Sequence, residues 1–268
     1  MDEEKHADCI IIGAGISGLD AAYHLQRHCK WADYVILERR DNLGGTWDFF
    51  KYPGIRSDSD MYTFGFSWKI WRSAKPIAPA EEIMKYLKEA AEEQGIVNRI
   101  KFNTNVNAAS FRSSDNRWHL VTSEGLKYSC SMLFCCAGHF SYDTPHEPKF
   151  PGQENFPGPI VHPQKWEPRH DEILAGKKVA LIGSGATAVT ILPSIAESVA
   201  HVTMVQRTPT YIMGRPLIDP LAEFLNKWLP AWLAVKINRW RALLRTALFY
   251  QFCVRDGIQG RRKSATMT

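Results

Sequence analysis

The sequence predicts an α/β protein built on two copies of one unit: a buried strand, a glycine turn and a helix. Three observations predict it. The stretch ADCIIIGAGISGLDAAYHL opens the chain with that pattern. KKVALIGSGATAVTILPSIA repeats it 170 residues later, counted from Gly13 to Gly183. Each copy is followed by a short apolar run, DYVILE or HVTMVQR, which gives the strand–helix–strand rhythm of a parallel sheet. At 268 residues the chain is one large or two small domains. Its 45% hydrophobic and 23% charged composition excludes extensive disorder, collagen-like repeats and a disulfide-stapled miniprotein.

The elements follow in order. Ala7–Ile12 reads as the first strand and Ile16–His28 as its helix, with Leu19, Ala22, Tyr23 and Leu25 spaced to face a sheet. Asp33–Glu38 is a second buried strand. APAEEIMKYLKEAAEEQG is amphipathic, with Ile83, Tyr86, Leu87 and Ala90 on one face and Gly95 as its stop. Residues 100–130 alternate in short β-branched or aromatic segments, an antiparallel meander, and Ser131–Gly138 reads as a further buried strand. Seven prolines between 141 and 170 exclude a helix or central strand and mark a linker. From Pro220 to Val254 the chain reads as helices rich in Trp, Leu and Arg, and the final GIQGRRKSATMT is expected to fray. The expected divisions are 1–140, 141–175, 176–216 and 217–268: first nucleotide unit, linker, second nucleotide unit, and a helical basic segment.

Charge is unevenly placed. Residues 227–268 hold nine basic residues and one acidic, so this segment is +8 and the rest of the +5 chain is −3. The body is therefore excluded as a nucleic-acid binder. No apolar run approaches the roughly 18 residues that span a bilayer, and the polar N-terminus is not a secretory signal. The six cysteines form no CxxC pair and suggest no metal site; they read as reduced core cysteines of a cytoplasmic protein. Self-association or peripheral membrane contact is expected from residues 217–254, with ordinary surface helices as the alternative.

The chemistry sits in the turns. Gly13-x-Gly15-x-x-Gly18 lies between strand and helix: Gly13 permits the tight turn, Gly15 lets a diphosphate approach the helix N-terminus, and Gly18 lets helix pack on strand. Glu38 ends the next strand, where a carboxylate binds ribose hydroxyls. In the second copy, Gly183-x-Gly185-x-x-Ala188, the following strand ends in Arg207-Thr208 instead. An arginine there attracts the 2′-phosphate that a carboxylate repels, which favours NADP over NAD; otherwise Arg207 is a solvated surface charge. One acid-ended and one Arg-ended turn in one chain point to a flavin and a nicotinamide meeting.

Two longer strings carry a resemblance. Gly44-Gly45-x-Trp47 is followed by Tyr52-Pro53-Gly54 and Asp58, and FPGPIVHPQKW holds Phe156, Gly158, His162 and Trp166 at fingerprint spacing. With the two turns, these resemble Baeyer–Villiger monooxygenases of the class B flavoprotein monooxygenases, most of all the ethionamide-activating mycobacterial subgroup. Glu167 departs from the Pro or Asp usual after the tryptophan.

The resemblance implies two Rossmann-like FAD/NAD(P)-binding domains, the second inserted in the first. It places FAD on Gly13, Gly15, Ser17, Gly18, Glu38, Thr46, Trp47, Asp58 and Val106, and NADPH on Ser184, Gly185, Ala186, Thr187, Arg207 and Thr208, with Arg56 and Ser57 where the two rings meet. It implies that NADPH and O2 are used to insert oxygen into a ketone, or to oxygenate a thioether or amine. Asp58 has two readings: a catalytic-site acid beside the family's arginine, or the cap of a helix starting near Ser59. His162 reads as a linker residue rather than a general base, and Trp166 as a packing anchor. The chain is about half the family's length, so both domains are expected to be incomplete, as in a C-terminally truncated protein, and no arginine here matches the family's catalytic one. That leaves three alternatives: an active monooxygenase, a chain that binds nucleotide weakly without coupled oxygenation, or a non-oxygenating NADPH–flavin reductase. The two long strings argue against the last.

Overall fold

The computed structural model describes residues 4–208, 214 and 216–265, with backbone alone beyond 254. In chain order the strands are β1 (Lys5–Ile12), β2 (Tyr34–Leu37), β3 (Ile100–Lys101), β4 (Val106–Arg112), β5 (Arg117–Thr122), β6 (Lys127–Cys135), β7 (Lys178–Ile182) and β8 (His201–Val205). The helices are α1 (Ile16–His28), α2 (Thr46–Phe49), α3 (Met61–Phe64), α4 (Ala80–Glu93), α5 (Arg169–Leu174), α6 (Ala186–Ile195), α7 (Pro220–Trp228) and α8 (Ala231–Ala265). The fold is α/β, as the repeated unit predicts, and it divides into two compact units.

The first unit comprises residues 1–55 and 79–210. Its main sheet has the order β3-β2-β1-β6-β5-β4. β1 pairs in parallel with β2 and β6, and β2 with β3, while β5 runs antiparallel to both β4 and β6. β1 lies in the interior of the sheet, which is why Ile10 and Ile11 lose all contact with water. Ala7, Ile10, Leu37, Leu120, Tyr128 and Cys130 form one core cluster. α1 buries Gly18, Leu19, Ala22 and Leu25, whereas Tyr23 stays half-buried. α4 buries Ile83, Tyr86, Leu87 and Ala90, the face its spacing marks out, and Gly95 follows it at φ 64°.

The meander and the strand after it differ from expectation. They share one strand: β6 begins in the meander beside β5 and continues along β1 to Cys135. β5 stops pairing at Cys130, so Ser131–Cys135 are held on the β1 side alone, and Met132 and Cys135 are exposed. The six cysteines are free, but only Cys9 and Cys130 are fully buried, and Cys253 is exposed like Cys135.

The second glycine-turn copy forms a two-stranded parallel sheet, β7 with β8, backed by α6. Ile191, Ile195 and Val199 make a small core there, joined by Tyr52, Trp166, Leu174, Val179, Leu181 and Val202. Two strands cannot cover both of their faces. Ile182 is 61% and Val205 48% exposed.

The second unit comprises residues 56–78 and 211–268. The expected division had left 56–78 in the first nucleotide unit. Instead Asp219 N–H bonds the carbonyl of Ala74, Asn226 that of Arg72 and Arg239 that of Tyr62, so α7 and α8 pack on this loop. α8 continues through Ala265, across most of the stretch expected to fray.

Candidate functional site

At the carboxyl ends of β1 and β2 the first glycine turn opens onto a cleft of about 490 Å3. Hydrogen bonds hold the turn on three sides: Gly13 N–H to Leu37, Cys136 N–H to Ile12, and Gly44 N–H to Ala14. Gly13 stands at φ 101°, and a Cβ there would lie 2.5 Å from the Cys136 carbonyl oxygen. At Gly18 a Cβ would fall 1.9 Å from the Gly13 carbonyl oxygen, so only glycine lets α1 sit this close to the strand. Gly15 is different, because a Cβ there would merely touch Gly45 Cα at 3.7 Å. Gly15 and Gly45 face each other at the mouth and keep it open.

Glu38, 5% exposed, accepts the Ala14 N–H at 2.7 Å through one oxygen and the Arg40 N–H at 2.9 Å through the other. Each oxygen keeps a second acceptor site, and Glu38 also lines the cleft. α1 has glycine at its N-cap, no capping side chain and no acid in its first turn, so its amide dipoles meet the cleft uncompensated.

Of the residues the resemblance implies for FAD, Gly13, Gly15, Ser17, Glu38, Thr46, Trp47 and Val106 line this cleft together. Gly18 lies behind it, in the helix–strand contact. The sequence reading missed a strap, residues 137–142, that forms one wall. Tyr142 stacks on Phe49 with ring centroids 4.0 Å apart, and Arg39 grips Asp143 through both guanidinium nitrogens. Burial raises the Tyr142 phenol and the Cys136 thiol, so both stay protonated at neutral pH. The strap follows the carboxyl end of β6, beside β1, where open α/β sheets place ligands.

Ser184, Gly185, Ala186, Thr187, Arg207 and Thr208 gather at the carboxyl end of β7–β8 and the start of α6. Ser184 Oγ donates to the Thr208 carbonyl at 3.2 Å, and Arg207 is exposed. A Cβ at Gly183 or Gly185 would meet nothing within 4 Å. This second turn is therefore open, and α6, like α1, has a glycine N-cap and no capping side chain.

The two fingerprint strings meet at α6. The added Cβ of Gly54 would strike Ser194 Oγ at 1.9 Å, and Tyr52 and Trp166 both pack on the Ile191–Ile195–Val199 core. Trp166 is thus a packing anchor, and its indole N–H reaches Asp171. His162 caps the short 3-10 turn Pro163–Lys165, its Nδ1 accepting the Gln164 N–H, while Gln164 reaches the Ser141 carbonyl in the strap. Phe156 is exposed, folded over Gly158.

Arg56, Ser57 and Asp58 belong to the second unit. Ser57 is buried; its hydroxyl donates to the Ser59 carbonyl and accepts the Ala78 N–H. Asp58 is exposed and caps no helix. The cap of α3 is Asp60, whose carboxylate accepts the Tyr62 N–H. The capping alternative for Asp58 therefore falls to its neighbour two positions on.

Residues 6–221 match the family model described as FMO-like, flavin-binding monooxygenase-like. The chain belongs to the flavin-binding monooxygenase-like family. A relative within reach is the FAD-containing monooxygenase EthA of Mycolicibacterium smegmatis, 51% identical over 251 residues that cover 92% of this chain and 51% of that protein. Among solved structures, cyclohexanone monooxygenase from Rhodococcus sp. Phi1 bound to NADP+ matches with a TM-score of 0.70 at 27% identity, over 84% of this chain and 43% of that one. Oxidized steroid monooxygenase bound to NADP gives 0.71 and 28%, over 83% and 43%. The chain spans about half the length of the curated relatives it matches. Both glycine turns and both fingerprint strings lie inside the span matched by the flavin-binding monooxygenase-like family.

Proposed function

We propose that this chain carries the nucleotide sites of a flavin-dependent monooxygenase that uses NADPH and O2 to insert one oxygen atom into a ketone, giving an ester or lactone, or to oxygenate sulfur or nitrogen. The observation that supports it most is the cleft at the first glycine turn, with Glu38 held at its rim and an uncapped helix aimed into it. FAD fits these donors: a diphosphate against the α1 amides, ribose hydroxyls on the free acceptor sites of Glu38, and Thr46, Trp47 and Val106 as walls. When bound, FAD supplies a hydride acceptor and a centre that activates O2. The protein's part is to orient the nucleotide, and the 137–142 strap keeps water from one side of it.

At the second turn, Arg207 and Thr208 suit a 2′-phosphate and the α6 amides a diphosphate, which supports NADPH there. In this reading Asp58 is a catalytic-site acid and Arg56 contacts the nicotinamide, while Ser57, buried with its hydroxyl bonded to Ser59 and Ala78, supports the loop instead of touching the ring. No arginine of this chain is assigned the family's catalytic role. The substrate is a small molecule and the setting cytoplasmic.

A second reading, weak nucleotide binding without coupled oxygenation, is supported by the exposure of Ile182 and Val205 in the β7–β8 sheet. Reconstitution decides between them. The purified chain is mixed with FAD, desalted, and supplied with NADPH and a ketone or thioether. Yellow protein that forms oxygenated product in step with NADPH consumption supports the first reading. NADPH consumption that yields only hydrogen peroxide, or a chain that emerges colourless from desalting, supports the second, and a chain that binds no FAD even in direct titration overturns the assignment of the first cleft.

A further inference from the structure

Two helices of the second unit, α7 and α8, are built inside out. α8 turns Ala234, Asn238 and Ala242 inward, all nearly fully buried. At about 100° per residue these three lie within roughly 80° of one another. Trp232, Lys236, Trp240, Leu243 and Leu244 occupy an arc of roughly 120° on the opposite side. Trp232 and Trp240 are 60% and 65% exposed. α7 repeats the arrangement, burying Ala222 while Leu221, Phe224 and Trp228 face outward. A helix in water hides its large apolar residues, whereas small residues inside and large ones outside suit an apolar neighbour.

Charge selects that neighbour. The second unit carries 14 Lys and Arg against 5 Asp and Glu, a net of +9, while the first unit is −4. Arg241 and Arg245 are partly compensated by Asp219 and Asp60. Lys227 and Lys236 instead stand over the outward rings of Trp228 and Trp232, at 5.7 and 5.6 Å from the ring centroids. Glu223 is the acid of α7 on this exposed side.

We propose that α7 and the first turns of α8 dock on an anionic lipid surface, with the indoles and leucines at the headgroup–acyl boundary and the lysines among the phosphates. Among the described residues no helix is long and apolar enough to cross a membrane, so the helices lie in the interface. A second copy docked through this same face would set +9 against +9, and a single-stranded nucleic acid would leave Leu221, Leu243 and Leu244 without a stacking partner.

The test uses the full chain with vesicles of phosphatidylcholine alone or mixed with phosphatidylglycerol, some brominated on the acyl chain. Sedimentation is expected to show binding about ten-fold or more stronger to the anionic vesicles, and bromine to quench part of the tryptophan fluorescence. Trp228→Ser with Trp232→Ser and Trp240→Ser should abolish most of the quenching, and Lys227→Glu with Lys236→Glu should remove most of the anionic preference. The substituted positions are exposed, and circular dichroism checks that both variants fold. No vesicle binding, or quenching unchanged in the tryptophan variant, overturns the proposal. So does oligomerisation in place of vesicle binding, dispersed by the tryptophan changes, or full displacement from vesicles by an oligonucleotide.

Discussion

Glu38 closes the first glycine turn onto β2: its carboxylate accepts the Ala14 N–H at 2.7 Å while its other oxygen holds the Arg40 N–H. One residue thus shapes the cradle and offers acceptor sites to what enters it. Glu38→Ala leaves two amides without their partner, at a cost of about 1–3 kcal/mol. Glu38→Gln keeps one acceptor and should cost less. Urea unfolding without nucleotide measures this structural part, and FAD titration of the folded variants measures the remainder. An unfolding midpoint unchanged in the alanine variant would refute the structural half of the claim.

The glycines should separate into classes. Gly13→Ala and Gly18→Ala drive a Cβ into backbone at 2.5 and 1.9 Å and are expected to prevent stable folding. Gly183→Ala meets open space and carries only the strain of φ 120°, about 1–3 kcal/mol. Gly15→Ala makes an ordinary contact, so it should fold normally and yet bind FAD several-fold more weakly, because the mouth narrows. Thermal melts beside FAD titration check the order.

Asp58 and Asp60 allow a clean comparison. Asp60→Ala removes the α3 cap and should destabilise by about 1 kcal/mol. Asp58→Ala should leave the melting temperature where it is. If oxygenation by an active preparation then falls in the Asp58 variant alone, its role is chemical; if Asp58→Ala melts early, the assignment of the cap is wrong.

Acid should loosen two surface contacts. The bond to Arg39 holds the Asp143 carboxyl below its ordinary value, and the bond to His119 does the same for Glu4. Both are lowered carboxylates, so the stability they add is present above the ordinary carboxylate range and is lost as pH falls through their lowered values. The Arg39–Asp143 pair is exposed, so its effect is small, whereas Glu4–His119 is half-buried. Asp143→Asn should unfold at lower urea than the parent at pH 7, and the gap should narrow as pH falls below the ordinary carboxylate range. A gap that stays constant down the whole acid limb would mean that Asp143 acts through something other than its charge.

Much of this protein was legible in one dimension. Gly13, Gly15 and Gly18 between a strand and a helix announce a cradle, because only that order of residues lets the backbone turn, open and close-pack within six positions. The α4 face was equally plain, since Ile83, Tyr86, Leu87 and Ala90 share a side at helical spacing whatever they pack against. The strap was not legible. Nothing local in residues 137–142 marks a ligand wall, and they become one only because β6 runs beside β1. The single long β6 was hidden for the same reason: pairing with two neighbours of opposite sense is a property of the sheet.

The sequence by itself determined the two glycine turns, the acid after one and the arginine after the other, since these are short-range requirements of backbone geometry and charge. Tertiary structure alone decided that Tyr52, Gly54 and Trp166 converge on α6, that Asp60 rather than Asp58 caps α3, and that α8 buries its alanines while its tryptophans face outward. Such facts depend on which surfaces meet. A chain far apart in sequence can be brought together only by the packing energy of the whole.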